Sequence, residues 1–342
     1  MSELIGPPSA SISTLTAPIP LLPPTVLQAS QSPHALGLWG RSLGDSELRL
    51  FPLALGSGTF GWTVDETAAS DVLDRFVDLG GNFIDATGTT PDARSEHLIG
   101  AWVRKRRRRA GVLVGTTVGP GHDLSIKPAP VIIAAVDEAL DRLGTDHLDL
   151  LSIRLDDTTN TGEVLVAVDD LVRAGKVRYA AADAPTADRL IEARVVAAQS
   201  GMPSLVAAQG SYSLVHRDGF EPEVARVVEL QGCGFMPRRP LGGGLLAGRQ
   251  LSRSDVALRR QRGVVNLTPR RKAAVNSALV DIGADLGVTA SAVALAWLLT
   301  RPGVTAPIVS VSDVSQLESA MSAVRLQLTR QRIADLDRLS AG

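Results

Sequence analysis

Gly81 to Gly100 read GNFIDATGTTPDARSEHLIG, and this stretch determines the fold predicted for the rest of the chain. An apolar strand over residues 82–84 delivers one carboxylate, Asp85, into a short loop of small and polar residues, and a predicted helix follows from Ser95. A charged residue at the C-terminal tip of a buried strand lies where α/β barrels and open α/β sheets place their chemistry. Asp85 is therefore a candidate functional residue, and a purely structural turn cap is the alternative.

Outside this stretch, short apolar strands alternate with amphipathic helical segments from Leu48 onward. Eight strand–helix units in one apolar series predict an α/β fold, a closed parallel (β/α)8 TIM barrel with extra C-terminal helices. A doubly wound open sheet is the alternative, but its glycine fingerprint is matched only formally near Gly56, without a helix opening on the third glycine. The predicted strands are 52–55, 82–85, 112–116, 147–155, 177–182, 205–208, 235–237 and 307–311.

Composition limits the class of protein. The 342 residues are 44% hydrophobic and carry a net charge of -1, so nothing global favours nucleic acid or an anionic membrane as partner. The basic run 105–109 follows a predicted helix end, where cations are favoured by the helix dipole. A single cysteine, Cys233, excludes an intrachain disulfide and is typical of a cytoplasmic protein.

The N-terminal segment differs from the rest of the chain. Residues 1–36 are rich in Pro and Ser and lack the basic start of a secretory signal, so they predict an irregular tail before a barrel over residues 37–342. Apolar residues in the tail leave open its packing on the barrel or on a protein partner. No apolar run reaches membrane-spanning length.

Several stretches, taken in order, resemble landmarks of the aldo-keto reductase family. They are the initial GNFIDA run, Leu143 to Leu150 (LGTDHLDL), Arg173 to Tyr179 (RAGKVRY), Gln209 with Tyr212 and Leu214, and Pro240 to Gly248 (PLGGGLLAG). Together they cover nearly the whole chain in the family's order, which is far more specific than any single motif. The resemblance implies a TIM barrel with an NADPH site across its C-terminal face.

The resemblance also implies a catalytic tetrad of Asp, Tyr, Lys and His, in which the tyrosine donates a proton as hydride arrives. The matching positions here are Asp85, Thr90, Thr117 and Arg154. Threonine hydroxyls are far weaker acids than an activated phenol, and a guanidinium is effectively never deprotonated. Turnover of ordinary aldehydes is therefore not expected, because no general acid is evident.

The residues implied to hold the cofactor are partly changed. Asp183-Ala184 stand where the family has a Ser-Asn amide clamp, and Arg238 replaces an aromatic ring that stacks on the nicotinamide. These changes predict weakened NADPH binding, since Arg238 would repel the positive charge of the oxidised cofactor. The candidate cofactor-binding residues are Gln209, Arg238, Leu241, Gly243, Gly244, Ser310, Ser312 and Gln316.

Three functions remain open at this point. The favoured hypothesis is a pseudoenzyme, a degraded barrel with a binding or regulatory role, in which Asp85 and Arg154 form a buried ion pair. The alternative is a specialised NADPH-dependent reductase in which Arg154 polarises the substrate carbonyl.

A lyase or isomerase acting on an anionic small molecule held by Arg154, Arg238 and Arg239 is the third hypothesis. A structural role for these arginines, neutralising Asp85, Asp156 and Asp183 around one barrel mouth, is its alternative. No metal site is predicted.

Overall fold

A small hairpin precedes the barrel. The computed structural model describes residues 40–86, 93–119, 122–125, 127–221, 223–247 and 268–341, so the predicted tail 1–36 lies outside the described residues. Strands β1 (Arg41–Ser42) and β2 (Arg49–Leu50) pair antiparallel. The apolar pattern of the sequence does not predict this hairpin, because strands of two residues are too short to show an alternating pattern.

The next eight strands form one parallel sheet that curves into a nearly closed barrel. They are β3 (Ala54–Gly56), β4 (Phe83–Asp85), β5 (Leu113–Val118), β6 (Leu148–Arg154), β7 (Val177–Asp183), β8 (Leu205–Ser211), β9 (Gly234–Arg238) and β10 (Ile308–Val309). The first and last strands pair, with Ile308 opposite Ala54. On the other side, Phe235 N donates to Gly303 O at 2.9 Å and Thr305 N donates to Phe235 O at 2.8 Å. The predicted (β/α)8 barrel is therefore confirmed.

Helices surround the sheet, and most of them begin at a side-chain cap. Aspartate, asparagine or threonine accepts a hydrogen bond from the backbone N–H three residues on, which satisfies one of the orphan donors of the first turn. The helices are α1 (Glu66–Asp78), α2 (Arg94–Arg106), α3 (Pro128–Leu143), α4 (Thr161–Arg173), α5 (Ala187–Ser200), α6 (Glu223–Leu230), α7 (Pro269–Leu286), α8 (Ala290–Leu299), α9 (Val314–Ser322) and α10 (Arg330–Ser340).

Among the described residues, no single helix is long and apolar enough to cross a membrane. Among the described helices, α7 and α8 together have the length and composition of a span, but they are bent by 97° relative to each other. Eight of the ten residues of α8 are buried, which explains its nearly uninterrupted apolar sequence.

The hairpin closes the N-terminal end of the barrel. Leu43, Leu48 and Leu50 are buried and pack with the interior side chains of the barrel strands. At Gly44, where φ is +55°, a Cβ atom would lie 2.1 Å from Val206 O, so the hairpin backbone rests directly on β8. With this end filled, the C-terminal mouth is the end of the barrel at which a ligand site can form.

Candidate functional site at the barrel mouth

Four charged side chains of alternating sign meet at the C-terminal mouth, and we call them the mouth cluster: Asp85, Arg238, Asp183 and Arg154. Arg238 Nη2 lies 3.6 Å from Asp85 Oδ2, and Arg238 Nη1 donates a hydrogen bond to Asp183 Oδ1 at 3.2 Å. Arg154 Nε lies 3.0 Å from Asp183 Oδ2. The cluster carries two charges of each sign, so its formal net charge is zero.

Strand register explains why these residues meet. Arg154 ends β6 directly opposite Asp183 on β7, while Asp85 and Arg238 end β4 and β9. Parallel strands present their carboxyl ends at one edge, so the longer arginine side chains reach the carboxylates. Gly119, just after β5, leaves the necessary room, because a Cβ atom there would lie 2.2 Å from Arg154 Cβ.

The backbone turns sharply just beyond two members of the cluster. Ala184 has φ of 48° and Arg239 has φ of 53°, conformations that cost energy for any residue other than glycine. Ala184 N donates to Gln209 O at 2.7 Å, which holds the first of these turns in place. Strained backbone of this kind concentrates at functional sites.

The carboxylates of the mouth cluster are buried more deeply than its arginines. The side chains of Asp85 and Asp183 are only 5% and 3% exposed, whereas those of Arg238 and Arg154 are 23% and 38% exposed. Burial alone would lower the pKa of Arg238, but the nearby carboxylates of Asp85 and Asp183 outweigh it and raise that pKa. The arginines therefore neutralise carboxylates that would be costly to bury alone.

The ion pairs differ from the predicted arrangement. The sequence predicts a direct Asp85–Arg154 pair, whereas the pairs found here join Asp85 to Arg238 and Arg154 to Asp183. The difference arises because Arg238 reaches across from β9, and the spacing of residues along the chain does not reveal that reach. Neutralisation of Asp85 and Asp183 by arginines at one mouth, the structural alternative, agrees with these contacts.

The remaining predicted catalytic positions are only partly described. Thr117 lies on β5 opposite Ser152 on β6, whereas Thr90 lies outside the described residues. Both tyrosines hydrogen-bond elsewhere: the Tyr179 hydroxyl accepts from Glu47 N near the barrel's N-terminal end, and the Tyr212 hydroxyl donates to Glu221. In the described part of the chain, neither tyrosine is hydrogen-bonded to the mouth cluster.

Gln209, a predicted cofactor residue, is buried and has an amide oxygen without a hydrogen-bond partner. It is 1% exposed, near the end of β8, in register with Asp183. Its Nε2 lies 3.9 Å from Met236 Sδ, while its buried Oε1 makes no hydrogen bond. An unpartnered buried amide oxygen at a barrel mouth suits a ligand that carries an N–H donor, such as a carboxamide.

The other predicted cofactor residues follow the next two strands. Leu241 precedes a turn at Gly242–Gly244, where all three glycines have positive φ, a conformation that favours glycine and leaves the turn without side chains. Ser310 and Ser312 follow β10, and Gln316 lies in the first turn of α9. The structure thus distributes the candidate residues over the ends of β8, β9 and β10. Strands β8 and β9 pair directly, and β10 lies beside β9 where the barrel closes.

Two residues that shape the mouth were missed as site residues from sequence. Asp183 was considered as a lost amide clamp and as a neutralised carboxylate, but it is the carboxylate that both arginines of the cluster share. Gly119 was not considered at all. Two arginines and an extra aspartate at strand ends that lie close together in a barrel are the feature of the sequence that could have indicated this cluster.

A parallel barrel with charged and amide side chains gathered at its C-terminal mouth is the architecture of a barrel enzyme. The chain belongs to the aldo/keto reductase family, whose model matches residues 52–341. Within the described residues, no group of three or more histidine, cysteine or carboxylate side chains is placed to hold a metal ion.

Similar proteins include several named oxidoreductases. A norsolorinic acid reductase of Emericella nidulans is 30% identical over 331 residues, covering 90% of this chain and 83% of that protein. An uncharacterised oxidoreductase of Bacillus subtilis is 30% identical over 314 residues, covering 88% and 95%. An aldo-keto reductase of Fusarium vanettenii is 30% identical over 339 residues, covering 88% and 90%.

Proposed function

We propose that this protein is a nicotinamide-dependent oxidoreductase that reduces an activated carbonyl group, with Arg154 polarising the carbonyl oxygen. Family membership and the reductase names of similar proteins support the reaction class. The observation that carries the proposal is the mouth cluster. Three of its members depart from the family pattern, and each of them has an ion-pair partner within the cluster. Arg154 and Arg238 pair with Asp183, and Arg238 also pairs with Asp85.

Mutual pairing favours a rebuilt site over a degraded one. Independent loss of function would leave buried charges without partners, and each such charge costs several kcal/mol. Here each departure is compensated by another. Because Arg238 is paired with two carboxylates, it also presents less net positive charge to a nicotinamide ring than the sequence alone suggested.

The residues present fit a nicotinamide dinucleotide, a cofactor that the family generally uses as NADPH. Gln209 has a buried oxygen available for the carboxamide, and the turn at Gly242–Gly244 exposes backbone to a pyrophosphate. When bound, the reduced nicotinamide supplies a hydride to the carbonyl carbon.

The chain's own contribution to the reaction is electrostatic. As the carbonyl π bond breaks, negative charge develops on oxygen, and the Arg154 guanidinium stabilises that charge at every working pH. Asp183 Oδ2 lies 3.0 Å from Arg154 Nε and balances the charge of the guanidinium. Water supplies the proton that completes the alcohol, because a guanidinium does not release one and the tyrosines are hydrogen-bonded elsewhere. Activated carbonyls are favoured, since their alkoxides need the least help from an acid.

The test is oxidation of reduced nicotinamide with a panel of activated ketones and aldehydes. Arg154→Gln should lower kcat by about 100-fold or more, as loss of one oxyanion donor does. Arg178→Gln is the matched control, since Arg178 is 43% exposed and pairs with a buried aspartate, Asp149, near the opposite end of the barrel. No oxidation above the buffer rate would favour the binding or regulatory role. Equal rates above the buffer rate for wild type and Arg154→Gln would show that Arg154 does not polarise the carbonyl.

A further inference from the structure

A set of charged and hydrogen-bonded side chains joins the last helix, α10, to the loop that follows β8. We call it the Arg217 network, and its members are Tyr212, Arg217, Glu221, Arg301 and Asp337. Arg217 lies at its centre, because the guanidinium bonds on one side to the loop and on the other side to α10. The network contains two arginines and two carboxylates, so its formal net charge is zero.

On the loop side, Arg217 holds Glu221. Arg217 Nε and Nη2 donate to Glu221 Oε2 at 3.0 and 2.7 Å. The other carboxylate oxygen of Glu221 accepts from the hydroxyl of Tyr212, whose side chain is completely buried. Burial, and then this hydrogen bond, raise the pKa of Tyr212, so its hydroxyl keeps the proton that it donates. One carboxylate therefore ties together the two ends of the loop.

On the helix side, Arg217 reaches the C-terminal turn of α10. Its Nη1 donates to Asp337 O at 3.1 Å and to Ser340 Oγ at 2.9 Å. The Asp337 carboxylate in turn accepts from Trp297 Nε1 at 2.9 Å and from Arg301 Nη1 at 3.2 Å. A cation at a helix C-terminus is also favoured by the helix dipole. The position of α10 is therefore linked to the position of Arg217.

The loop held by Arg217 packs against the glycine turn that follows β9. Ser213 and His216 exchange two backbone hydrogen bonds of 3.0 Å each, so the segment between them is a tight turn. Val215, inside this turn, is 2% exposed, and a Cβ atom at Gly242 would lie 2.5 Å from Val215 Cγ2. The two turns are thus in close contact, and a displacement of Val215 is transmitted to Gly242.

We propose that Arg217 is a positioning residue through which α10 holds the glycine turn in the shape that accepts the dinucleotide, a role that rests on the proposed function. Arg217 acts through the loop and Val215, since its own hydrogen bonds go to Glu221, Asp337 and Ser340. Arginine suits this role because its planar guanidinium bonds to several acceptors in fixed directions. If the network only stabilised the fold, its loss would affect the glycine turn no more than the rest of the barrel.

Calorimetric titration of the full chain with NADPH is the first test. Arg217→Gln cannot bond to the loop and to α10 together, so it should weaken NADPH binding by about tenfold. With saturating NADPH, the turnover of an activated ketone should fall by less than about threefold, because the mouth cluster is unchanged. Arg332→Gln is the matched control. It breaks a 3.1 Å pair with Asp285 that joins α10 to α7 instead of to the loop, so NADPH affinity should stay the same.

Amide hydrogen exchange without nucleotide is a second readout, and it does not depend on activity. Gly244 N and Leu246 N donate to Leu241 O at 2.9 and 3.1 Å, so both amides report on the glycine turn. Their exchange should be about tenfold faster in Arg217→Gln and unchanged in Arg332→Gln, because local opening of the turn sets the rate. Ser340→Ala removes only one acceptor on α10, so it should change exchange and affinity in the same direction by less. This milder variant replaces Arg217→Gln if that protein does not fold.

The outcomes separate the two proposals. NADPH affinity in Arg217→Gln equal to that of wild type, or equal losses in Arg217→Gln and Arg332→Gln, would overturn the role of Arg217 and leave the proposed function standing. A wild-type protein that binds no NADPH would overturn the proposed function and with it the cofactor role of Arg217. Faster exchange confined to Arg217→Gln would in that case still show that Arg217 holds the turn. Thermal unfolding of each variant without nucleotide confirms that it is folded before it is titrated.

Discussion

Asp183 shapes the candidate site more than any other residue, because Arg154 and Arg238 both depend on it. Its side chain is almost completely buried, and each carboxylate oxygen faces a different arginine. A serine or asparagine at this position would hydrogen-bond but would not balance two partly buried cations. The aspartate therefore makes both arginines tolerable at strand ends where the family pattern has neither.

Replacing Asp183 tests this dependence. We expect Asp183→Asn to lower the free energy of unfolding by about 3 kcal/mol, because a partly buried guanidinium loses its counter-charge. The double variant Asp183→Asn with Arg154→Gln should recover part of that loss. Urea denaturation measures both effects. Asp169→Asn is the control that should change little, because it breaks a surface pair whose arginine, Arg173, is 74% exposed. A similar small effect at Asp183 and Asp169 would show that the cluster is not energetically coupled.

At the scale of elements, the N-terminal hairpin determines which end of the barrel is open. Its three leucines fill the interior at the N-terminal side, and its turn presses backbone against backbone at Gly44. A ligand is thereby restricted to the mouth, where the strand ends carry the charged residues. The hairpin is thus part of the functional architecture although it is far from the chemistry.

A pair of glycine substitutions measures that contact. Gly44 and Gly232 both have positive φ, at 55° and 64°, but a Cβ atom at Gly44 would lie 2.1 Å from Val206 O, whereas one at Gly232 would meet nothing within 4 Å. Gly232→Ala should cost about 1 to 2 kcal/mol of backbone strain alone. Gly44→Ala should cost clearly more, because the hairpin must move. Equal midpoints of thermal unfolding for the two variants would contradict the close approach.

The barrel elements could be predicted from sequence far better than the site could. The apolar segments in the sequence predict all eight barrel strands, and the structure confirms each of them with ends that differ by a few residues at most. The pairing within the mouth could not be derived, because it depends on how far Arg238 extends across the barrel.

At the scale of the whole molecule, the central claim is that a carbonyl is reduced by hydride transfer at the barrel mouth. An arginine that stabilises the developing negative charge stands there instead of a proton donor. Three features support this claim: the closed N-terminal end, the mouth cluster, and the three strand ends suited to a dinucleotide. It differs from the degraded-barrel hypothesis in a single chemical outcome, which is whether a new carbon–hydrogen bond forms.

Incubation of the full chain with NADPH deuterated at the transferable C4 position, together with activated ketones, is the most direct test of hydride transfer. Mass spectrometry should find deuterium on the carbinol carbon of the alcohol product. The label should appear with wild type and Arg178→Gln and fall by about 100-fold or more in rate with Arg154→Gln. Nucleotide binding without any deuterated alcohol, across the panel and at enzyme concentrations equal to the nucleotide, would contradict it.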